Sequence, residues 1–510
     1  MNPTLYFDGQ VLPAATFHDR VAASAAALLE LGVEPGDAVA LMLHNEPLLL
    51  EMMLAVRWIG ADYCTVNWHF KAGEVRHILS DSEAAVLVVH THLLPQMQDG
   101  IPAGVRTFIA PPLAATRRAF ALSAAVADAA EGLPTWEALR DGAKRPAPPP
   151  LHTPGALRAY TSGTTGLPKG VCRHRPTPDQ LRQTAEITAT TLGMAGGMRA
   201  LMCAPMYHAA PASYVVQAAI RDADLWIEPR FDAESVLRLI EAERISHLYI
   251  VPTMMRRLLQ LAPEVRARHD LSSLRFAAST GAPCDPQTKQ RMIEWWGPVL
   301  HEAYAASELG YVTHIDSHEA LRKPGSAGRT LPGATLKILS PDGTELPSGE
   351  VGLIYARHFG VPDFTYSSDA AARGRLEHDR LFTLGDMGYL DADGYLYLVD
   401  RSVDMVISGG VNIYPAEIEA VLLTMPGIVD CAVFGIPDDD FGESLLAAVQ
   451  TADGVATSAV AVQTWLRERL ANYKVPKTVV FHAELPREET GKIFKRKLRA
   501  PYWEKVGRSI

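Results

Sequence analysis

Apolar and polar positions along this chain follow two rhythms. Short apolar runs, such as AVALML from Ala38, AAVLVV from Ala84 and HLYIV from His247, alternate with stretches whose apolar residues recur every three or four positions. The runs read as buried strands and the spaced pattern as amphipathic helices, so the first four hundred residues predict strands joined by helical crossovers in α/β layers. The stretch DPQTKQRMIEWW marks its own start, because Asp285 can cap a first turn and Pro286 suits the first helical position. From Pro415 the pattern predicts helix (PAEIEAVLLTM), strand (IVDCAVFGI), strand (ESLLAAVQTA), helix (VAVQTWLRERL) and strand (KTVVFHAEL), ending in a basic tail. That order describes a small α+β domain. The Pro-rich segment KRPAPPP, 144–150, predicts an extended surface connector between two lobes of the large region. No internal repeat of solenoid length is present.

Composition narrows the class. At 510 residues, 48% hydrophobic and 21% charged, the chain is too long for one ordinary core. A balance of 48 Lys plus Arg against 58 Asp plus Glu, with no basic tract, argues against a nucleic-acid partner. Five scattered cysteines without a CxxC pair signal neither a disulfide framework nor a zinc site, which fits a reducing cytoplasm. The N-terminus lacks a leader pattern, and the most apolar early stretch is broken by Glu46, Pro47, Glu51 and Arg57, so no transmembrane segment is expected.

The most informative stretch is TSGTTGLPKG, Thr161 to Gly170, which follows the connector and a strand-like run, ALRAY. Gly163, Gly166 and Gly170 let backbone approach an anion; Thr161, Ser162, Thr164 and Thr165 add donors that can follow a moving phosphate; Lys169 brings positive charge. Together they describe a polyphosphate cradle. It is not the Walker pattern, because only two residues separate Gly166 from Lys169 and Gly170 stands where Ser or Thr is needed. A P-loop NTPase is therefore disfavoured.

Further motifs follow: MYHAAP at Met206 to Pro211, STGAP at Ser279 to Pro283, YAASE at Tyr304 to Glu308, LGDMGYL at Leu384 to Leu390, DRSVDMVISGGVNIYPAEIE at Asp400 to Glu419, and PREETGKIFKRKLR at Pro486 to Arg499. In this order, and with TSGTTGLPKG, they resemble the adenylate-forming superfamily of acyl-CoA synthetases, peptide-synthetase adenylation domains and luciferases, over about two thirds of the chain. The resemblance implies an α/β fold with a large multi-lobed N-terminal domain of mixed sheets and helices, 1–402, and a small mobile α+β C-terminal domain, 403–510. It also implies ATP, magnesium and coenzyme A as reaction partners.

Residue by residue, the implied roles suit the chemistry. Glu308 is a carboxylate of the kind magnesium prefers, Ser307 can donate to the α-phosphate, and Tyr304 can stack on adenine. Asp386 resembles the aspartate that holds both ribose hydroxyls, Arg401 the ribose and phosphate contact at the domain junction, and Gly281, Ala282 and Pro283 the adenine-side loop. His208 resembles the residue that gates the carboxylate end of the acyl pocket, and the remaining histidines show no metal-ligand spacing.

Lys492, in ETGKI, matches the lysine of the first half-reaction. Joining a carboxylate to the α-phosphate brings two anions together, and a mobile cation at that point lowers the barrier. The family's small domain then rotates, which here would bring Ser408, Gly409 and Gly410 beside a pantetheine arm. Two departures stand out. Ala305 and Ser307 replace the usual Gly and Thr, keeping the hydroxyl but adding a methyl to the acyl pocket, and the hinge position, usually Asp or Lys, is Val403.

Three functions fit these residues. The first is an acyl-CoA synthetase; the second is an acyl-AMP ligase that loads a separate carrier protein; the third is a nucleotide-binding regulator without turnover. Retention of Glu308, Asp386, Arg401 and Lys492 speaks against the third, and PMYHAAPASYVVQ lacks the Asp that would hold an amino group. The stretch Met202 to Val216 and the surroundings of Met254, Ala282 and Ala305 carry no fixed charge for a second carboxylate. A medium- or long-chain fatty acid is expected first, an aryl acid of the benzoate or coumarate type second, and the protein as a monomer or homodimer.

Overall fold

The computed structural model describes residues 3–504 apart from 124–131, 145–146, 148, 152, 162–167, 368–369, 402–403, 409–410, 439–440, 453, 456 and 488–492. Two parallel sheets build the first lobes. One holds Asp62–Thr65, Ala38–Met42, Ala84–His90 and Arg106–Ala110, in that order. The other runs Leu300–Ala303, Phe276–Thr280, His247–Tyr249, Arg199–Met202, Asp224–Ile227 and Thr4–Phe7, and closes on an antiparallel edge, Gln10–Leu12. Parallel neighbours need crossovers, which helices such as Pro47–Trp58 and Pro286–Trp296 supply.

Helix Pro47–Trp58 buries every residue but Arg57. It lies within a core that takes side chains from both sheets, which explains an apolar run too continuous for a surface helix. Its buried Glu51 accepts from Arg20 Nε at 2.7 Å and from Ser24 Oγ at 2.6 Å. Helix Pro286–Trp296 starts as expected, with the Asp285 carboxylate accepting the Thr288 N–H at 2.8 Å. No helix among the described residues is long and apolar enough to cross a membrane. The five cysteines are all free.

The crossover rhythm expected through the first four hundred residues stops near Ser326. From there to Arg401 the strands belong to an antiparallel sheet, except Phe364–Tyr366, which joins a separate small sheet, and the short helix Ala370–Leu376 is the only helix among the described residues. Strand Gly352–His358 alternates buried and half-buried residues along its length, the mark of a sheet with one face packed and one wet.

The C-terminal region has its own sheet: Val411–Ile413, Val406–Ser408, Gly442–Thr451 and Ile428–Asp438, with Thr478–His482 paired in parallel to Gly442–Thr451. Its separate core includes Ile418, Leu422, Val433, Leu445, Val462 and Leu466. The expected basic tail is in fact a helix, Lys495–Glu504. Trp503 anchors it, buried, with Nε1 donating to the Gly435 carbonyl at 3.0 Å.

Contacts that cross to the large region include two polar ones among the described residues. The Asp400 carboxylate accepts the Ala416 N–H at 3.0 Å, and Arg256, in helix Pro252–Gln260, lies 3.7 Å from Asp430, which also receives Arg487 at 2.6 Å. The boundary placed between 402 and 403 lies outside the described residues.

One packing feature predicts acid sensitivity. The ring of Phe276 stacks on His301 with centroids 3.8 Å apart and faces His247 at 6.3 Å. Burial, with Arg275 beside one and His314 beside the other, lowers both histidines from 6.5 to about 4. Unfolded histidines take protons near pH 6.5 and these only near 4, so the stability they contribute is complete above 6.5 and lost as the pH falls toward 4. The urea midpoint should fall across that window, and a His301→Gln variant should lose part of the slope.

Candidate active site

Two paired strands flank the phosphate-loop sequence. Strands Ala159–Thr161 and Lys169–Arg173 pair with Thr161 opposite Lys169, while Ser162, Gly163, Thr164, Thr165 and Gly166 lie outside the described residues. The hairpin's base is held from two sides. His77 Nε2 lies 2.7 Å from the Pro168 carbonyl, and the hydroxyls of Tyr160 and Ser367 both donate to Asp81.

Gly170 fits where nothing larger can. A Cβ there would stand 2.5 Å from Ser367 Oγ and 2.8 Å from the Tyr160 ring, both fixed on Asp81. Gly170→Ala should cost about 1–3 kcal/mol of stability and raise the KM for ATP, read by denaturation and by initial rates.

A third strand, Phe364–Tyr366, pairs with Lys169–Arg173 and carries in residues the sequence did not single out. The Tyr366 hydroxyl donates to the Glu308 carboxylate at 3.1 Å, and Lys169 Nζ lies 5.6 Å from the centre of the Tyr366 ring. Glu308 is 6% exposed. Arg173 donates from Nη2 to the Ser307 carbonyl at 2.6 Å. Burial lowers Arg173 to about 10 against the opposing pull of Glu308 and Asp363, and burial with the Glu308 charge pushes Tyr366 up. Tyr366 and Arg173 thereby tie Glu308 and Ser307 to the strands beside Lys169.

The same five-residue segment reaches a second cluster through its other end. The Tyr304 hydroxyl donates to Asp386 at 2.7 Å, and Asp386 stands opposite Arg401 in the pairing of Asp386–Leu390 with Tyr395–Arg401. Strand Phe276–Thr280 leads into Gly281, whose φ of 92° belongs to the left-handed region, followed by Ala282 and Pro283. Below that loop the Tyr249 hydroxyl donates to the Thr280 carbonyl at 2.9 Å.

His208 immediately precedes helix Ala209–Ala219, its ring 4.2 Å from that of Tyr207. The first lobe clamps this segment. Asn45 accepts the Met206 N–H at 2.8 Å and donates to the Ala204 carbonyl at 2.9 Å, while Trp68 meets Tyr207 edge to face at 4.5 Å.

Lys492, Gly409, Gly410 and Val403 lie outside the described residues, as do the side chains of Thr161 and Arg401. The strands flanking Gly409 and Gly410 do form a hairpin, Val406–Ser408 with Val411–Ile413. Tyr366, Arg173, Asn45 and Trp68 are the residues the sequence reading missed.

The sequence as a whole matches AMP-binding enzymes over residues 2–362 and the AMP-binding enzyme C-terminal domain over 417–492. The chain belongs to the AMP-binding enzyme family. Among relatives of this AMP-binding enzyme, a feruloyl-CoA synthase of Amycolatopsis sp is 34% identical over 494 residues, 96% of this chain and 94% of that protein. A long-chain-fatty-acid–CoA ligase of Mycobacterium tuberculosis is 34% identical over 478 residues, 93% of this chain and 90% of its own. In fold, ATP-bound MatB from Rhodopseudomonas palustris superposes with a TM-score of 0.82 at 26% identity, covering 98% of this chain and 96% of that one.

Proposed function

We propose that this AMP-binding enzyme is an acid–thiol ligase that converts a carboxylic acid, ATP and coenzyme A into an acyl-CoA, AMP and diphosphate. The observation that carries the reading is the segment Tyr304–Glu308, tied at its first residue to Asp386 and at its last to Tyr366, beside Lys169. One short stretch thereby connects a ribose-holding carboxylate with a phosphate-facing cation, as a nucleotide spanning the two would require.

In the proposed first step a carboxylate oxygen attacks the α-phosphorus and diphosphate leaves. Lys169, the loop donors and Lys492 neutralise the charge that builds on the phosphoryl oxygens. Glu308, a hard oxygen donor kept from bulk water, suits magnesium, which would add positive charge at the phosphates. In the second step the thiol sulfur attacks the acyl carbon and AMP leaves, with Gly409 and Gly410 lining the pantetheine path.

The acyl group we expect is apolar. Helix Ala209–Ala219 beyond His208 buries Pro211, Ala212, Tyr214, Val215 and Val216. Fatty and aryl acids both meet that demand, and the names of the two relatives include one of each.

The deciding experiment measures diphosphate release with ATP and magnesium across fatty, aryl, amino and dicarboxylic acids, with and without coenzyme A. Release that requires a fatty or aryl acid and turns over only with coenzyme A supports the proposal. Release indifferent to coenzyme A points to a carrier-loading ligase, and no release with any acid overturns the assignment.

A further inference from the structure

Three histidines with no common spacing meet at one end of the four-stranded parallel sheet. His44 follows strand Ala38–Met42, His90 ends the neighbouring strand Ala84–His90, and His92 lies in the turn Thr91–Leu93 just after it. Neighbouring parallel strands finish side by side, so residues 46 and 48 positions apart are brought together. One ring nitrogen from each lies within 4.8 Å of the other two. His44 and His90 are 2% and 0% exposed, and His92 is partly covered.

The facing atoms are of the same kind. Nε2 of His44 and Nε2 of His92 stand 2.9 Å apart on rings stacked within 4° of parallel. Two imidazole lone pairs on one tetrahedral zinc, at about 2.0–2.1 Å each, lie about 3.3 Å from each other, so this separation is close to a chelating pair. A hydrogen bond between the two Nε2 atoms would need one proton shared by the two rings, and the Nδ1 atoms of both are buried without a hydrogen-bond partner whether or not an ion is held.

His90 has the orientation of a supported ligand. Its Nε2 stands 3.4 Å from the Glu46 carboxylate, which is itself buried and accepts the Leu113 N–H at 2.8 Å. A carboxylate there keeps the hydrogen on Nε2 and leaves Nδ1 as the acceptor, which takes the His44 backbone N–H at 3.2 Å and would exchange that bond for the ion.

We propose that His44, His90 and His92 bind one divalent transition-metal ion of the zinc, cobalt or copper class, with Glu46 holding His90 in place. Three imidazoles favour such ions over magnesium, which prefers oxygen. The ion fastens two strand ends and the turn after them. Its place in the protein gives that fastening a use: Trp68 packs on His44 at 4.4 Å and on Tyr207 at 4.5 Å, and Tyr207 adjoins His208. The metal therefore braces the wall behind the Met206–Pro211 segment without touching the reacting atoms.

The test uses untagged full-length protein, stripped with chelator and dialysed, then titrated with zinc and cobalt. Calorimetry, visible absorption of the cobalt form and metal analysis after desalting are the readouts. The expected result is one equivalent bound, a thermal midpoint that rises with zinc, and at least ten-fold weaker binding in His92→Ala and His92→Gln, with the exposed His174→Ala as control. Absence of binding by the wild type at micromolar metal overturns the proposal, and so does equal binding by wild type and both His92 variants. The wild-type measurement decides even if a variant fails to fold.

Discussion

Replacing Lys492 with alanine should remove adenylate formation from ATP and acid by about 100- to 1,000-fold, the scale of losing one preorganised charge at a reacting phosphoryl group. Thioester formation from supplied acyl-adenylate should survive, because there the charge leaves with AMP and no bond to phosphorus is formed. Single-turnover diphosphate release and acyl-CoA production from synthetic adenylate measure the two halves separately. Equal loss of both would mean that this lysine serves the fold or both steps alike.

The second large effect concerns a buried ion pair next to the Gly281–Pro283 loop in sequence. Lys289 Nζ and the Glu302 carboxylate meet at 2.9 Å, both almost fully buried, and Lys289 also donates to the Ser326 carbonyl at 3.1 Å. The pair joins helix Pro286–Trp296, which follows the Gly281–Pro283 loop, to strand Leu300–Ala303, which leads to Tyr304. Lys289→Met should lower the unfolding free energy by about 3–5 kcal/mol, because it strands a carboxylate in dry surroundings. The double variant Lys289→Met, Glu302→Leu should recover most of that loss. Urea denaturation of the wild type, both single variants and the double variant closes the cycle, and a double variant no more stable than Lys289→Met would place the cost in packing instead of charge.

Local signals carried much of the architecture. Asp285 and Pro286 announce a helix because capping and a preset φ act within one turn, and the strand at 428–438 shows itself by the apolar run from Cys431 to Ile436. The C-terminal basic stretch was harder to read. Lys and Arg suggest a solvated tail, yet one tryptophan and a carbonyl sixty-eight residues earlier in the chain turn it into a docked helix. The antiparallel region after Ser326 was masked by a rhythm of apolar runs that says nothing about which strand is the neighbour.

The site divides in the same way. TSGTTGLPKG and YAASE display their chemistry in consecutive residues. Tyr366 and Arg173 do not, because their value lies in contacts 58 and 134 residues away in sequence, set by the register of one small antiparallel sheet. The histidine cluster is the extreme case: its members become neighbours only when two parallel strands stop at the same height.

The seam between Arg256 and Asp430 has a consequence for how the enzyme answers its medium. A small domain that turned between two poses would have to open this pair, in which Asp430 is buried and Arg256 partly exposed, so that dissolved ions, with a Debye length of about 8 Å at physiological strength, would act chiefly on the opened charges. Electrolyte thus becomes a dial on the working cycle. Were the pose described here to serve one half-reaction, rising salt would slow that step relative to its partner and give the two steps different salt dependences.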